Sequence, residues 1–161
     1  YFQNRKFLEG LSSVRWSVVE QAHFVEAGRE HIQDERLVFY PTIAECVAAE
    51  KPNVVLFSSV LQYLEDPYAA LNELVSSGAD LVVVDRTIVN KEFEDRVFLQ
   101  HVPKAIYQAS YPCYSLSEDR LIKSMEMASY KLVESFSSIS FPALKHIKGY
   151  FSGYIFIKYS K

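Results

Sequence analysis

The stretch NVVLFSSVLQYLEDPYAALNELVSSGADLVVVD, at residues 53–85, decides the fold class. It holds two short apolar runs, residues 53–57 and 80–84, that are rich in β-branched residues and do not alternate. Such runs are typical of parallel strands covered on both faces. Between the runs, Asp66 precedes a proline, a common helix start, and Gly78 suits the end of that helix. The stretch therefore predicts a strand–helix–strand unit.

The same alternation extends toward the N-terminus. Residues 15–20 and 37–40 are strand candidates, and residues 22–34 place apolar side chains at helical spacing. Residues 42–50 begin with Thr-Ile-Ala-Glu, the capping box of a helix start, and the helix ends before a Lys-Pro pair. The resulting β-α-β-α-β-α-β order predicts a mainly parallel sheet with helices on both sides.

The pattern changes after the second apolar run. Residues 86–116 are rich in Tyr and Pro and are predicted to form a long connection. A helix is expected over residues 117–127, followed by two final strands over residues 131–136 and 150–159. Because no crossover helix separates these last two strands, the C-terminal strand is predicted to be antiparallel. The fold class is thus α/β, Rossmann-like and doubly wound, in a single domain over residues 1–161.

Composition excludes several classes of protein. The net charge of -3 argues against a nucleic-acid partner bound by bulk electrostatics. Cys46 and Cys113 form no CxxC pair, and the four histidines lack ligand spacing, so neither a disulfide framework nor a metal site is predicted. No apolar run approaches the roughly 20 residues of a membrane helix, and no secretory signal is visible. A cytoplasmic protein without a membrane partner is the expectation.

Polar residues follow two of the predicted strands. Glu20 ends the first strand and can accept hydrogen bonds from both ribose hydroxyls of a nucleoside, although an ordinary exposed loop residue is the alternative. Ser58 and Ser59 follow the next apolar run and leave space for a ligand beside the sheet. Gln62 and Tyr63 can then shape a pocket, the alternative being a plain strand–helix connection. Ligands of doubly wound sheets bind at these carboxyl ends of strands.

The region after the second apolar run supplies candidate substrate contacts. These are Asp85, Arg86, Tyr107, Tyr111 and Tyr114. A carboxylate at a strand end can orient a substrate or simply pair with a nearby arginine, while tyrosines offer stacking faces and hydroxyls. His101 is the candidate catalytic residue, because histidine is the commonest general base near neutral pH. The alternative for residues 101–115 is an ordered surface loop whose aromatic side chains pack on the sheet.

Three segments carry a resemblance to a known family. FSSVLQYLEDPYAALNEL, at residues 57–74, resembles the fourth-strand region of class I S-adenosylmethionine-dependent methyltransferases. WSVVEQ at residues 16–21 and DLVVVDRT at residues 80–87 then match the spacing of that fold's second to fifth strands. More narrowly, YFQNRKFL, VVEQAHFVEAG, SSVLQYLEDPY and ASYPCYSLSE resemble bacterial methyltransferases linked with surface-polysaccharide loci. This narrower similarity runs through essentially the whole chain.

The resemblance implies a cofactor, a reaction and a substrate class. The cofactor would be S-adenosylmethionine, and its methyl group would pass to an oxygen or nitrogen of a small molecule or glycan precursor. The residues implied in cofactor binding are Glu20, Gln21, Ser58, Ser59 and Gln62. Where the family has an acidic residue for the adenine amino group, this chain has Tyr40-Pro41-Thr42, so adenine would depend on packing and backbone contacts.

The main departure from the family is its glycine-rich cofactor loop. None of the five glycines forms a GxG motif, and the resemblance implies that the first strand and this loop would precede residue 1. In the family's 3-2-1-4-5-7-6 strand order, that strand would lie between residues 15–20 and 53–57. We therefore expect weak cofactor binding by this chain alone, and a homodimer through the exposed or swapped strand is one way to fill the slot. The alternatives are an inactive scaffold and a nucleotide-sugar-binding enzyme.

Overall fold

The computed structural model describes residues 1–137 and 149–159 and divides the chain into two compact units, Tyr1–Pro52 and Asn53–Lys161. Whether the two units together form one domain over residues 1–161, as the sequence analysis expects, stays a prediction. Each unit is described by itself below.

The first unit contains a short parallel sheet and its helices. After a 3-10 turn at Phe2–Asn4, its elements are α1 Arg5–Leu8, β1 Trp16–Val19, α2 Ala22–His31, β2 Leu37–Tyr40 and α3 Ile43–Glu50. Strands β1 and β2 pair in parallel, with Trp16 opposite Leu37 and Val19 opposite Tyr40. The buried core of this unit is small and consists of Val25, Leu37 and Phe39.

Close packing and side-chain caps hold these elements in place. A Cβ added at Gly28 of α2 would lie 2.6 Å from the ring of Phe39, so the helix can approach β2 only because this residue is glycine. The predicted cap of α3 is confirmed, since the Thr42 hydroxyl accepts the backbone N–H of Glu45 at 3.2 Å. Lys51 ends that helix in a left-handed conformation, with φ of 46°.

The second unit is built on a six-stranded sheet. Its elements are β3 Val54–Ser58, a 3-10 turn Leu61–Tyr63, α4 Pro67–Val75, β4 Leu81–Asn90, β5 Arg96–Val102, β6 Ala109–Ser117, α5 Glu118–Met127, β7 Tyr130–Ser137 and β8 Tyr150–Lys158. The strand order is β5-β6-β4-β8-β7, and β3 pairs in parallel with the first half of β4. Strand β8 is antiparallel to both β4 and β7, as predicted. The fold class is confirmed.

Strand β4 is the centre of this sheet. Its first half pairs with β3, its last two residues pair in parallel with β6, and β8 runs along its other edge. The register with β8 shifts between Val84 and Thr87, which marks an irregularity at Asp85 and Arg86. The order β3-β4-β8-β7 agrees with the 4-5-7-6 part of the order that the resemblance implies, and β2-β1 agrees with its 3-2 part.

Helix α4 begins at its predicted cap, and α5 begins at a side-chain cap that the sequence analysis did not name. The Asp66 carboxylate accepts the backbone N–H groups of Tyr68 and Ala69 at 3.1 and 2.9 Å, and Pro67 occupies the first helical position of α4. Ser117 caps α5 by accepting the N–H of Arg120 at 3.4 Å. Gly78 lies beyond the end of α4 rather than at its cap, in a turn with φ of 82°.

Two expectations about this unit were wrong. Residues 86–116 are not a long connection: β4 continues to Asn90, and strands β5 and β6 form an antiparallel hairpin. Strand β6 contains Pro112 and pairs with β4 only at Leu116 and Ser117, so a residue without an N–H is tolerated in its middle.

The second wrong expectation concerns β3, which is not covered on both faces. Val54 and Leu56 are about half exposed, while Val55 and Phe57 are buried. The apolar run of this strand therefore reflects its β-branched composition and not burial of every side chain.

Of the described helices, none is long and apolar enough to span a membrane.

Candidate functional site

The carboxyl ends of β3 and β4 form an irregular strand-end site in the second unit. Ser58 and Asp85 are register partners at the end of the paired segment. Immediately after them, Ser59 and Arg86 adopt positive φ angles of 59° and 50°. Left-handed backbone at non-glycine residues is strained and tends to occur at functional sites. The strain is held in part by the Ser59 N–H, which donates to the Asp85 carbonyl at 2.8 Å.

Polar side chains connect the two strand ends. The Ser58 hydroxyl donates to Asp85 Oδ2 at 3.2 Å and accepts a hydrogen bond from Arg86 Nη2 at 2.8 Å. Arg86 Nε lies 3.3 Å from Asp85 Oδ2. Asp85 is therefore an ion-pair partner of Arg86, which was one of its two predicted roles. The two side chains remain 29% and 53% exposed, so the pair lies at the protein surface.

Gln62 joins this cluster to the 3-10 turn that follows β3. Its side chain is fully buried, and its Nε2 donates to Ser59 Oγ at 3.2 Å and to the Arg86 carbonyl at 3.1 Å. Within the described residues, Gln62 Oε1 and the hydroxyl of Thr87 are buried without a hydrogen-bond partner. A buried polar atom without a partner is uncommon and costs about 1–3 kcal/mol. We call Ser58, Ser59, Gln62, Asp85 and Arg86 the strand-end cluster.

The turn after β3 and the β5–β6 hairpin form a pocket of about 280 Å³, lined by Tyr63, Tyr107, Tyr111 and Pro112. We call it the tyrosine pocket. The rings of Tyr63 and Tyr111 meet edge to face, with centroids 5.5 Å apart. The Tyr63 hydroxyl donates to Gln100 Oε1 at 3.3 Å, which ties the turn after β3 to the hairpin. Tyr63 directly follows Gln62 in the sequence, so one residue that lines the pocket is the chain neighbour of a residue of the strand-end cluster.

Two phenols of this pocket, those of Tyr63 and Tyr111, have pKa values raised above the ordinary value. A hydrogen bond to Tyr107, followed by burial, raises the pKa of Tyr111 to about 12. Burial also raises the pKa of Tyr63 above its ordinary value of 10.0. At these two positions the pocket therefore offers neutral phenols rather than phenolates at neutral pH.

Two predicted site residues, the substrate residue Tyr114 and the catalytic candidate His101, do not line this pocket. Tyr114 donates to the Glu65 carbonyl at 3.2 Å and thereby anchors the hairpin. His101 is exposed on β5, directly after Gln100, so strand alternation directs its side chain to the opposite face from the one that contacts Tyr63. Gln100 itself was missed by the sequence analysis. The feature that identifies Gln100 is its pairing with Tyr111 across β5 and β6, and this pairing is known only once the two strands are aligned.

The predicted cofactor residues of the first unit lie at the carboxyl end of β1. The Glu20 carboxylate accepts the N–H of Gln21 at 3.0 Å, and the Glu20 N–H donates to the Tyr40 carbonyl at 3.2 Å. Both Glu20 and Gln21 are exposed. The expectation that Glu20 shares a crevice with Ser58, Ser59 and Gln62 spans both units and stays a prediction.

A larger cavity, of about 420 Å³, lies along α5 and is lined by Tyr68, Phe93, Asp119, Arg120, Lys123, Ser124 and Met127. Its arginine is engaged in the fold: Arg120 Nη1 donates to Asp95 Oδ2 at 2.5 Å and stacks on the ring of Tyr68. Asp95 also accepts the Tyr68 hydroxyl at 3.0 Å. In residues 1–137 and 149–159, no three His, Cys, Asp or Glu side chains are grouped to hold a metal ion.

Neither a protein-family model nor a curated protein sequence matches this chain. Solved structures do match its fold. A structure of the N-terminal domain of EvdMO1, solved in the presence of S-adenosylhomocysteine and D-fucose, superimposes with a TM-score of 0.57 at 12% identity, over 98% of this chain and 71% of that one. A S-adenosylmethionine-dependent methyltransferase from Methanosarcina mazei gives 0.60 at 8% identity, over 90% and 82%.

A third similar structure is described as a pericyclic reaction enzyme. It gives a TM-score of 0.57 at 9% identity, and this chain covers only 39% of its length. At these identities the likeness concerns the fold alone. The shared fold is thus the one found in S-adenosylmethionine-dependent methyltransferases, and proteins with it are not limited to one reaction.

Proposed function

We propose that this chain is a methyltransferase domain that uses S-adenosylmethionine to methylate an oxygen or nitrogen of a small molecule or glycan precursor. The observation that carries the proposal is the strand-end cluster, in which two strained residues, Ser59 and Arg86, follow adjacent parallel strands. Ligands of open α/β sheets bind outside such strand ends. The fold shared with the Methanosarcina mazei methyltransferase agrees with this function.

The residues of the strand-end cluster fit the proposed cofactor. The buried Gln62 Oε1 has no hydrogen-bond partner among the described residues, and an acceptor of this kind suits the donor groups of S-adenosylmethionine. Ser58, Ser59 and Gln62 would hold the cofactor from the second unit, and Glu20 and Gln21 would hold it from the first. When bound, the cofactor supplies a methyl group activated for in-line displacement.

The protein's task in such a transfer is mainly to align donor and acceptor. In this proposal the tyrosine pocket receives the acceptor. The reason is that Tyr63, which lines the pocket, directly follows Gln62 of the strand-end cluster in the sequence. Asp85 and Arg86 would orient the acceptor at the strand ends. His101 stays a candidate base, but its exposed position on the opposite face of β5 gives it no contact with the tyrosine pocket.

The finer parts of the proposal concern substrate, partners and compartment. The glycan precursor is supported only by the resemblance to methyltransferases of polysaccharide loci. EvdMO1, which shares the fold, was solved in the presence of D-fucose.

A homodimer through the edge of β1 or β3 would follow if another chain supplied the strand between them. The free cysteines Cys46 and Cys113 are both buried, which suits a reducing, cytoplasmic setting.

Calorimetric titration of the full-length protein with S-adenosylhomocysteine tests the proposal. We expect binding, and we expect Glu20→Ala to weaken it at least about tenfold, since a hydrogen bond to a charged group is worth roughly 1.5–3 kcal/mol. Glu26→Ala, which removes the same charge from the exposed face of α2, is the matched control and should bind normally. Absence of binding would remove the proposed function, and normal binding by Glu20→Ala would remove Glu20 from the site.

A second candidate function is a reaction other than methyl transfer on the same fold. A solved structure with a similar fold is described as a pericyclic reaction enzyme, and this likeness supports the second candidate function. The two functions differ in stoichiometry, because methyl transfer forms one S-adenosylhomocysteine for each product molecule. Conversion of an acceptor without formation of S-adenosylhomocysteine would establish the second function.

A further inference from the structure

The tyrosine pocket has an unusual lining, because aromatic rings form most of it and none of its lining residues is charged. Tyr63, Tyr107, Tyr111 and Pro112 line an open surface pocket of about 280 Å³. The faces of aromatic rings carry negative electrostatic potential, and their edges carry positive potential. Tyr63 meets Tyr111 edge to face, at 5.5 Å and an interplanar angle of 83°. Tyr63 and Tyr107 are 42% and 55% exposed, so aromatic surface of this pocket is accessible to a ligand.

The hydroxyl donors of this pocket are largely used within the protein. Tyr63 donates its proton to Gln100 Oε1, and the hydrogen bond between Tyr111 and Tyr107 keeps the Tyr111 phenol protonated. What remains for a ligand is mostly ring faces and phenolic oxygen lone pairs. Such a surface attracts positive charge and offers little to a carboxylate or phosphate.

We propose that the tyrosine pocket is an aromatic cage for an ammonium group of the methyl acceptor. The inference deepens the proposed function, since it takes the pocket to be part of the acceptor site. It assigns the acceptor to compounds that carry an ammonium group in addition to the oxygen or nitrogen that is methylated, because a protonated or quaternary nitrogen has no lone pair to accept the methyl group. The cation lies against the ring faces of Tyr63, Tyr107 and Tyr111. Gln100 fixes the turn that carries Tyr63, so that the rings are arranged before the ligand arrives.

A neutral sugar is the competing ligand, because sugars also stack on tyrosine rings. Sugar recognition depends on several directed hydrogen bonds to hydroxyls, and two of the three phenol protons here are already donated, by Tyr63 to Gln100 and by Tyr111 to Tyr107. An amino sugar would satisfy both the cage and a glycan-precursor substrate. A charged ligand and a neutral ligand of the same shape distinguish the two possibilities, because only an ammonium cage prefers the charged one.

The test measures binding of choline and of dimethylbutanol, its neutral carbon isostere, to the full-length protein without S-adenosylmethionine. Ligand-observed NMR reads both affinities. We expect choline to bind about tenfold more tightly than the isostere, in line with cation–π attraction at a partly desolvated site. We also expect this ratio to hold between about pH 6 and pH 9, because the raised pKa values of Tyr63 and Tyr111 keep both phenols protonated over that range. Equal affinities, preference for the isostere or absence of choline binding would overturn the cage.

Three variants check the residues. Tyr111→Leu removes a ring and should reduce choline binding at least about fivefold, whereas Tyr111→Phe keeps the ring and should retain it within about twofold. Tyr159→Leu removes a partly exposed tyrosine outside the pocket and is the control for nonspecific effects. Unchanged binding by Tyr111→Leu, or an equal loss in all three variants, would contradict the proposal. If choline binds as expected but acceptors that carry an ammonium group and a separate hydroxyl or amine yield no S-adenosylhomocysteine, the cage stands and the proposed methyl transfer fails.

Discussion

At the scale of single residues, two glycine positions show how local sequence and packing combine. Gly28 lies in α2 against the buried ring of Phe39, whereas a Cβ at Gly10 would meet no atom within 4 Å. Alanine at Gly28 would gain about 1 kcal/mol of helix propensity. The same methyl group would have to displace a ring that belongs to the small core of the first unit, and overpacking costs about 1–3 kcal/mol.

We therefore expect Gly28→Ala to lower the free energy of unfolding by about 1 kcal/mol, after the gain in propensity is subtracted from the cost of overpacking. Gly10→Ala is the matched control and should leave stability unchanged or slightly raised. Urea denaturation followed by fluorescence of Trp16, the single tryptophan, reports on this unit directly. A stabilised Gly28→Ala variant would show that Phe39 can move without loss of packing.

At the scale of elements, the start of α5 is tied to β4 and β8 through one carboxylate. Glu118 accepts the hydroxyl of Tyr154 at 2.7 Å and pairs with Lys91. Burial by itself would raise the pKa of Glu118, but the hydrogen bonds from Lys91 and Tyr154 outweigh it and lower the pKa below the ordinary 4.5. The same pairing raises the pKa of Lys91 above its ordinary value.

These shifts predict the pH dependence of stability. Because the folded pKa of Glu118 is depressed, its contribution is present above the ordinary value of 4.5 and is lost as the pH falls through the folded pKa. The contribution of Lys91 is present below its ordinary pKa of 10.5 and is lost only at strongly alkaline pH. We expect Glu118→Gln to cost about 1–2 kcal/mol at pH 7 and clearly less near pH 3. Denaturant titrations at both pH values measure this, and an equal cost at both would contradict the assignment.

At the scale of the whole molecule, the two units differ in how much apolar surface they bury. The buried hydrophobic cluster of the first unit has three members, Val25, Leu37 and Phe39, whereas the second unit has a larger continuous core that includes Leu61, Val82, Leu121 and Phe156. Small units with small cores are marginally stable. Hydrogen exchange of the full-length protein should therefore be faster in β1 and β2 than in β4 and β8. Equal protection of all four strands would show that the first unit gains stability from contacts outside its own core.

The sequence by itself determined the alternating elements, the caps and the positions of polar residues after strands. These features are local: a capping side chain such as Asp66 satisfies amides two or three residues away, and a buried strand is a short apolar run. The similarity to methyltransferases also came from contiguous words of sequence, and the shared fold confirms its coarse form.

Only the tertiary structure decided how residues 86–116 fold and which side chains meet there. The contact between Tyr63 and Gln100 joins positions 37 residues apart and exists because β5 pairs with β6 in one particular register. The left-handed backbone of Ser59 and Arg86 has no sequence signal, since neither is glycine or asparagine. Local propensity does not contain such features, because neighbouring strands and the ladder between them impose the register and the strain.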